Sequence, residues 1–302
     1  MKIGIIGLGK MGYNIALNGR DKGHEVIAYN RSKEKMDEIE KEGVKVARTL
    51  EDLAKEFGSE RKIIWMMIPA GDTIDNMIKT LIPLLNKGDI LLDGGNSNFN
   101  DTKRRALELE KLEIDFCDVG TSGGMSGARH GACTMIGGKP EVFSVIEPFI
   151  KDICVENGYL HCGPYGSGHY VKMIHNGIEY GMMGAIGEGF EILHKSEFDL
   201  DYEKVARVWS NGSVIRGWLM ELMEEAFKKD GKLDNISGEM YSSGEGLWTV
   251  EEALKLQVSA SVITASLLER YRSLENSTFT GKSVAALRNG FGGHYFKSTK
   301  TK

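Results

Sequence analysis

A short stretch near the middle of the chain brings together side chains that can act as a base, an acid and hydrogen-bonding groups. After a glycine-rich segment come Lys172, His175, Asn176 and Glu179. At 3.6 residues per turn these positions share one face of a helix, and Lys172 lies two turns, roughly 10 Å, from Glu179. That span suits a small extended molecule with a base at one end and an acid at the other. Because burial in a cleft disfavours a protonated amine, Lys172 is a candidate general base.

A simpler interpretation of this face is a solvated helix surface that carries charges of both signs. It leaves His175, Asn176 and the glycine-rich start of the helix without an explanation. Further along the same helix, glycine recurs every third residue at Gly181, Gly184 and Gly187. Glycine costs about 1 kcal/mol per helix position relative to alanine, so we expect another helix or subunit to pack closely there.

The N-terminal region carries a dinucleotide-binding pattern. A predicted strand leads directly into Gly7, Leu8, Gly9, Lys10, Met11 and Gly12, and a predicted helix follows. In this context the first glycine permits the tight turn, the second lets the backbone approach a pyrophosphate, and the third lets helix and strand pack closely. The N–H groups at the start of the helix then face the phosphates. A glycine turn without a ligand is the alternative, and the strand–loop–helix context disfavours it.

The end of the second predicted strand discriminates between the two nicotinamide cofactors. NAD-binding proteins usually have an acidic residue there, about 20 residues after the glycine motif, which accepts a hydrogen bond from the ribose 2′-hydroxyl. This chain has Asn30, Arg31 and Ser32 instead. Arg31 can pair with a 2′-phosphate through its planar guanidinium and Ser32 can donate a hydrogen bond to it, so NADP is favoured over NAD. The alternative is that Arg31 is a solvated surface cation. We also assign Met67 and Ile68, at the end of a later predicted strand, to the cofactor site.

Hydrophobic periodicity predicts an α/β first half in which β-branched runs alternate with amphipathic stretches, the pattern of a mostly parallel, Rossmann-type sheet. The predicted strands cover residues 3–6, 25–29, 62–68, 90–92, 114–118, 133–136 and 153–155. The predicted helices between them cover residues 11–22, 33–42, 50–57, 73–85, 102–112 and 141–150, and Thr49 with Asp52 forms an N-terminal capping pattern.

From residue 168 the pattern is almost entirely helical. It begins with one long helix to residue 194, followed by helices over residues 202–210, 215–226 and 250–274. We therefore predict a Rossmann-type NADP-binding domain over residues 1–164. An all-α substrate and dimerisation domain over residues 165–302 is opened by the long helix and closed by a tail of about a dozen residues.

Composition excludes several classes of function. The 302 residues carry a formal net charge of −5 with a pI near 5.9, which disfavours nucleic acid and anionic membrane surfaces as partners. Apolar runs are far shorter than the roughly 20 residues of a membrane helix, and the chain starts with a strand-like segment rather than a signal peptide. The four cysteines show neither CxxC pairing nor metal-ligand spacing. These features predict a cytoplasmic protein with reduced thiols and no metal.

Several long motifs resemble those of the 6-phosphogluconate dehydrogenase family, decarboxylating enzymes of the β-hydroxyacid dehydrogenase superfamily. Residues 93–97 read DGGNS, followed by DT at 101–102, and residues 120–129 are similar to the family's GxSGGxxGAR loop. Residues 172–180 are similar to its KMxHNGIEY helix. The segment 288–294 resembles one in which an arginine, and a histidine six residues later, enter the neighbouring subunit's site. The likeness runs nearly from end to end.

The resemblance implies a role for each matched residue. Lys172 would take the proton from the 3-hydroxyl of 6-phosphogluconate, and Glu179 would protonate C1 of the enediol after CO₂ leaves, giving ribulose 5-phosphate. Asn176 would be the third catalytic residue, and Asn96 would contact both cofactor and substrate. The residues implied to hold the substrate are Asn96, Ser122, Gly123, Gly124, Lys172, His175, Asn176, Glu179, Tyr180, Arg270, Arg288 and His294, with Tyr180 and Arg270 at the phosphate. The implied assembly is a homodimer or homotetramer in which Arg288 and His294 enter the neighbouring site.

The chain departs from the family pattern at three points. It lacks the second helical block of long members and so resembles the short subgroup, whose members often use NAD and have an aspartate where this chain has Asn30. Ser243 and Leu247 stand where many relatives have basic residues for the phosphate. Two alternatives stay open. One is another β-hydroxyacid dehydrogenase, such as 3-hydroxyisobutyrate dehydrogenase or tartronate semialdehyde reductase, and the other is a nucleotide-sensing Rossmann protein without catalysis.

Overall fold

The computed structural model describes residues 1–299, which divide into one unit up to Met173 and a second from Ile174 onward. The first unit is an α/β domain. Its strands are β1 (Lys2–Ile6), β2 (Glu25–Tyr29), β3 (Lys45–Val46), β4 (Ile63–Met66), β5 (Ile90–Asp93), β6 (Asp115–Ser122), β7 (Ala132–Gly138) and β8 (Cys154–Gly163). Its helices are α1 (Lys10–Asp21), α2 (Lys33–Lys41), α3 (Leu50–Lys55), α4 (Asp72–Leu81), α5 (Phe99–Glu110), α6 (Gly124–His130) and α7 (Pro140–Ile153).

The eight strands form one sheet in the order β3-β2-β1-β4-β5-β6-β7-β8. Neighbouring strands are parallel except for the antiparallel pair of β6 and β7. The strand order changes direction at β1, which lies between β2 and β4. This is the doubly wound arrangement, in which ligands bind beyond the carboxyl ends of the strands at that point. The predicted Rossmann-type fold is confirmed.

The central strands are apolar because helices cover both faces of the sheet. Side chains alternate between the two faces along β1, so Ile3 and Ile5 lie in one core layer and Ile6 lies in the other. The same alternation places Trp65 of β4 in the first layer and Ile64 in the second. The two layers hold the strand ends, and the loops that follow them, in fixed positions.

Local signals predicted most elements of the first unit but missed helix α6 and strand β3. They also made one strand too short, since β8 was predicted over residues 153–155 and runs from Cys154 to Gly163. Thr49 caps α3 as expected, since its hydroxyl accepts a hydrogen bond from the Asp52 N–H at 3.0 Å. The predicted helix over residues 73–85 instead ends at Leu81 and continues as a 3₁₀ turn over Ile82–Leu84, in which Pro83 has no N–H to donate. Strand β3 was not predicted, because two residues at a sheet edge show no periodicity.

The second unit is helical. Helix α8 (Ser167–Lys195) runs into it from the first unit, and it is followed by α9 (Tyr202–Ser210), α10 (Trp218–Lys229), α11 (Gly244–Lys255), α12 (Ser261–Ser273) and α13 (Phe279–Gly292). Aromatic side chains dominate its core, where Phe190 packs against Tyr202 and Phe227. Among the helices of residues 1–299, none combines the length and the apolar character that crossing a membrane requires.

The division between the two units falls within α8, nine residues beyond the predicted boundary at 164/165. The reason is the close packing of the first turns of α8 on the sheet. A Cβ at Gly168 would lie 2.5 Å from the carbonyl oxygen of Met135 in β7 and 2.8 Å from that of Asp118 in β6. The start of α8 is therefore built into the sheet domain, while the rest of the helix belongs to the second unit.

The glycines on α8 confirm the predicted close packing. A Cβ at Gly181 or Gly184 would lie 3.1 Å from Val262 or 3.0 Å from Ser266 of α12, and one at Gly187 would lie 3.0 Å from Thr280 of α13. The neighbours are helices of the same chain.

One helical prediction in the second unit was wrong, and one helix was missed. The helix predicted over residues 250–274 is two helices, because the chain leaves the helical conformation after Lys255 and Gln257 has a φ of +58°. Helix α13, which was not predicted, continues to Gly292 and buries Val284 and Leu287. Arg288 therefore lies on a packed helix and not on a loose end.

Candidate active site

The glycine loop between β1 and α1 has the conformation that its sequence predicts. Gly7 has a φ of +102° and packs against the Met67 carbonyl and against Ile68, where a Cβ would be 2.8 Å from Cγ2. Gly12 packs on the carbonyl of Gly7. A Cβ at Gly9 would meet no atom within 4 Å. Gly9 is the N-cap of α1, and no side chain at this position occupies the N–H groups of the first helical turn. The loop thus presents an open surface at a helix N-terminus, which fits a pyrophosphate.

Asn30 connects the glycine loop to the end of β2. Its Oδ1 accepts a hydrogen bond from the Leu8 N–H at 3.0 Å, and its Nδ2 donates to the Ser32 hydroxyl at 3.1 Å. Arg31 is exposed and has no hydrogen-bond or ion-pair partner among residues 1–299. An uncharged amide next to an uncommitted guanidinium is compatible with a 2′-phosphate at this position.

Asn96 lies in the connection that follows β5. Asp93, the last residue of β5, accepts hydrogen bonds from the Gly95 N–H at 3.0 Å and from the Ser97 hydroxyl at 2.8 Å. Between these two anchors Asn96 has a φ of +51°, a conformation that asparagine tolerates better than most residues. The backbone position of Asn96 at the carboxyl edge of the sheet is thus held from both sides.

Ser122 ends β6 at the same edge, and a sharp turn follows it. Gly123 has a φ of +106° and Gly124 a φ of +57°, so the turn depends on residues without a Cβ. A Cβ at Gly123 would also lie 3.0 Å from the Cα of Gly127 in α6. The predicted Ser122, Gly123 and Gly124 are therefore together at the carboxyl end of the sheet.

Lys172 is 5% exposed and lies in the part of α8 that packs on the sheet. Its Cβ and Cγ rest on Gly120 of β6, where any added Cβ would overlap them. The fully buried carboxylate of Asp118 accepts hydrogen bonds from the Gly166 N–H at 2.8 Å and from the His169 N–H at 2.7 Å, and so holds the start of the helix. This burial contradicts a solvated position for Lys172.

The remaining predicted residues of α8 belong to the second unit and form a polar group there. His175 Nδ1 lies 3.0 Å from Asn176 Oδ1 and 4.0 Å from Glu179 Oε2. One turn on, the Tyr180 hydroxyl accepts a hydrogen bond from the Ser243 N–H at 3.0 Å. Ser243 is thus fixed by Tyr180.

Two arginines form a cationic cluster beside Tyr180. Arg270 is 2% exposed, stacks on the Tyr180 ring at 3.3 Å from its centroid, and donates to the Tyr241 carbonyl at 3.3 Å. Its Nη2 is buried without a hydrogen-bond partner in the described chain. Burial lowers the pKa of Arg270 to about 10, and the charge of Arg288 contributes. A buried guanidinium with an unused donor is suited to binding an anion.

Arg288 lies close enough to Tyr180, Glu179 and Arg270 of its own chain for their charges to act on it, and burial lowers its pKa. His294 folds back on the end of α13, where its N–H donates to the Arg288 carbonyl at 3.3 Å. The described chain thus places Arg288 beside Arg270 and Tyr180 of its own chain. Its predicted entry into a neighbouring subunit stays a prediction.

Three buried charged residues organise the carboxyl edge of the sheet, although the sequence alone suggested no role for them: Asp93, Asp118 and Arg105. The two aspartates could have been noticed, because each lies near the carboxyl end of a predicted apolar strand. Within residues 1–299, no group of three His, Cys, Asp or Glu side chains is arranged to hold a metal ion.

The doubly wound sheet and the glycine loop define a dinucleotide-binding dehydrogenase. Two family descriptions match almost the whole chain: the NAD binding domain of 6-phosphogluconate dehydrogenase over residues 2–163 and the 6-phosphogluconate dehydrogenase C-terminal domain over residues 168–302. The chain belongs to the 6-phosphogluconate dehydrogenase family of NAD(P)-dependent oxidoreductases.

Individual relatives agree with this assignment. YqeC from Bacillus subtilis is 55% identical over 294 residues, which cover 97% of this chain and 98% of YqeC. The NAD(+)-dependent, decarboxylating 6-phosphogluconate dehydrogenase of Haloferax volcanii is 42% identical over 296 residues, with 97% and 98% coverage. The 6-phosphogluconate dehydrogenase of Plasmodium falciparum, solved with NADP+ and with 6-phosphogluconate, has a TM-score of 0.82 at 30% identity.

The fraction of each chain that is matched distinguishes short relatives from long ones. The match to the Plasmodium enzyme covers 91% of this chain but only 62% of the Plasmodium chain. A 3-hydroxyisobutyrate dehydrogenase from Salmonella typhimurium is matched over 99% of its length with a TM-score of 0.76, but at 16% identity this likeness shows the fold alone. The resemblance to a short subgroup agrees with these lengths.

Proposed function

We propose that this protein oxidises and decarboxylates 6-phosphogluconate to ribulose 5-phosphate and CO₂, with NAD(P)+ as the hydride acceptor. The observation that carries the proposal is the burial of Lys172 on the family's motif helix, α8, which also presents Glu179 two turns further on. When bound, the nicotinamide accepts the hydride that leaves C3 of the sugar acid. Side chains of this protein carry out the proton transfers.

Lys172 acts first as a base. It takes the proton of the 3-hydroxyl as C3 is oxidised, and the product is a 3-keto acid and a protonated lysine. The C1–C2 bond then breaks, CO₂ leaves, and the bonding electrons move onto the 3-carbonyl oxygen. The protonated Lys172 returns its proton to that oxygen, which gives an enediol. The stem of Lys172 packs on Gly120, so the amine has little freedom to leave this position.

Glu179 completes the reaction as an acid. The enediol takes a proton at the carbon that lost CO₂, which becomes C1 of ribulose 5-phosphate, and the proton of the enediol hydroxyl is lost as the ketone forms. Glu179 supplies the first of these protons. His175, 4.0 Å from its carboxylate, and Asn176 are placed to bind the sugar hydroxyls and to orient Glu179.

We assign the substrate phosphate to the cationic cluster at Arg270. Its guanidinium is buried, has an unused Nη2, and is joined by Arg288, which no described carboxylate binds within hydrogen-bond distance. Burying such a charge is costly unless an anion binds to it. A phosphate dianion on Arg270, Arg288 and Tyr180 meets this need, and it explains why Ser243 and Leu247 can replace basic residues.

The cofactor residues proposed are those of the glycine loop, Asn30 to Ser32, Met67, Ile68 and Asn96. The uncommitted Arg31 favours NADP over NAD, although the Haloferax relative is NAD(+)-dependent.

The partners proposed are the substrate and further copies of this chain, as a homodimer or homotetramer in the cytoplasm. If His294 serves a neighbouring subunit, co-expressed Lys172→Ala and His294→Ala chains should recover activity that neither variant has alone. Sedimentation of the purified protein as a monomer would contradict the assembly.

The function is tested by initial rates with 6-phosphogluconate and with 3-hydroxyisobutyrate, each with NAD and NADP. We expect turnover of 6-phosphogluconate only, with a higher kcat/KM for NADP. Preferential turnover of 3-hydroxyisobutyrate would favour the other β-hydroxyacid dehydrogenases. Tight cofactor binding without turnover of any hydroxyacid would favour a nucleotide-sensing protein.

A further inference from the structure

Arg105 of α5 is only 1% exposed. In the sequence it lies far from the glycine loop. Its guanidinium holds Asp75 of α4 in a fork, with Nε to Oδ1 and Nη2 to Oδ2 both at 2.9 Å. The same group donates to the Gly71 carbonyl at 3.1 Å and contacts Asp93 Oδ2 at 3.4 Å. One side chain therefore binds three different segments at once.

One of those segments is a loop that carries proposed cofactor residues, and a second, the end of β5, leads directly into another such loop. The β4–α4 loop, residues 67–71, contains Met67 and Ile68 and ends at Gly71, which Arg105 binds directly. The β5–α5 loop, residues 94–98, contains Asn96 and follows Asp93.

Asp93 transmits the contact from Arg105 to the β5–α5 loop. Its Oδ1 accepts a hydrogen bond from the Gly95 N–H, and its Oδ2, which Arg105 contacts, accepts one from the Ser97 hydroxyl at 2.8 Å. These two bonds flank Asn96, whose backbone is in the left-handed conformation with a φ of +51°.

The two loops also touch each other, with almost no spare room between them. Gly94 packs on the indole of Trp65 and the sulfur of Met67, and a Cβ at Gly95 would lie 2.6 Å from the Ile68 carbonyl oxygen. A shift of either loop must therefore move the other or open a gap.

Arginine is suited to this junction for reasons of shape and charge. Its planar group presents donors in fixed directions, whereas a lysine presents one point charge and cannot bind Asp75 bidentately while reaching Gly71 and Asp93. Arg105 and the neighbouring Arg104 hold the pKa of Asp75 at about 2, so the carboxylate stays charged at neutral pH.

We propose that Arg105 is a positioning residue for the nicotinamide end of the cofactor, because it fixes the spacing of the β4–α4 and β5–α5 loops and so the place of Asn96. The inference rests on the proposed function, in which these loops meet the nicotinamide. In this proposal Arg105 acts through the two loops and not by contact with cofactor or substrate.

The test compares Arg105→Lys with Arg104→Lys as a matched control. Arg104 also binds Asp75, at 2.9 and 3.2 Å, but it is half exposed and binds neither loop. Calorimetry measures the affinity for the preferred cofactor and for the fragment of it that lacks nicotinamide. For NAD this fragment is ADP-ribose, and for NADP it is the 2′-phosphate of ADP-ribose. Arg105→Lys should weaken cofactor binding about tenfold relative to the fragment, a 1.4 kcal/mol difference, and Arg104→Lys should leave the ratio unchanged.

Steady-state kinetics and the deuterium isotope effect provide a second readout. A purely structural role of Arg105 would leave the isotope effect unchanged. In Arg105→Lys, kcat should fall about tenfold with a smaller change in the KM for 6-phosphogluconate. The deuterium isotope effect with 3-deuterated substrate should rise as hydride transfer becomes limiting. If the affinity ratio and the isotope effect stay at wild-type values, or if cofactor and fragment affinities fall together, the proposal is wrong.

A milder variant decides the matter if Arg105→Lys does not fold. Ser97→Ala removes only the hydroxyl that binds Asp93, and it should shift the affinity ratio and the isotope effect in the same direction, by less. Wild-type values of both in Ser97→Ala would overturn the proposal. A wild-type protein without 6-phosphogluconate turnover refutes the proposed function separately, since the affinity ratio needs no catalysis.

Discussion

Replacing Arg270 by methionine should stabilise the ligand-free protein while it weakens substrate binding. Burial lowers the pKa of Arg270 to about 10, more than two units below its usual value. Each unit corresponds to about 1.36 kcal/mol, so the buried charge costs about 3 kcal/mol of folding free energy. Methionine forfeits the stacking on Tyr180, worth about 0.5–2 kcal/mol, and one hydrogen bond to Tyr241. We expect a net gain of about 1 kcal/mol.

The folding free-energy cost of the Arg270 charge depends on pH in a way that can be worked out from its pKa. Arg270 is protonated in both the folded and unfolded states below pH 10, so its full cost is present at neutral pH. The cost is relieved only as pH rises through about 10, where the folded protein releases the proton before the unfolded chain does. The stability difference between wild type and Arg270→Met should therefore be constant from pH 6 to 8.

Thermal unfolding with and without 6-phosphogluconate measures both halves of the prediction. Arg270→Met should melt about 2 °C or more above wild type without ligand, lose most of the ligand-induced stabilisation, and show a KM for 6-phosphogluconate raised at least about tenfold. Arg272→Met is the control, since Arg272 lies on the same helix but is exposed and pairs with Glu269 at 3.5 Å. A ligand-free variant that melts below wild type, with an unchanged KM, would refute the reasoning.

Three further substitutions test separate parts of the site. Lys172→Ala should lower kcat by about 10²–10⁴ with unchanged cofactor affinity by calorimetry, and unchanged turnover would remove it as the base. Arg31→Asp should lower the ratio of kcat/KM for NADP over NAD at least about tenfold, and an unaltered ratio would mean that Arg31 does not contact the cofactor. Gly120→Ala should displace the Lys172 stem, cost about 1–3 kcal/mol in chemical denaturation and lower kcat more than stability explains. Its control, Gly189→Ala, adds a methyl group where no atom lies within 4 Å, and should leave kcat unchanged.

Periodicity predicted the architecture because strands and helices of this fold are long and their apolar patterns distinct. Elements without such a signal were missed or joined: β3 has two residues, and the break between α11 and α12 contains neither glycine nor proline. Helix α13 was not predicted, because its small and glycine residues, such as Gly281, are selected by close packing rather than by propensity.

The candidate site was predicted where residues act locally and missed where they act through the fold. The face of α8 and the glycine loop are contiguous in sequence, so spacing alone revealed them. The contact of Lys172 with Gly120 and that of Arg105 with Asp93 depend on strand order and helix packing. The position of Arg288 beside Arg270 likewise depends on how α12 and α13 pack.

The central claim is that Lys172 and Glu179 on one helix carry out oxidation and decarboxylation of the same substrate. The most direct measurement is the release of labelled CO₂ from 1-¹³C-6-phosphogluconate alongside NAD(P)H formation by the wild-type protein. One CO₂ for each NAD(P)H, with both lost in Lys172→Ala, is the predicted result. NAD(P)H formed without CO₂, or CO₂ release that survives in Lys172→Ala, would contradict the account.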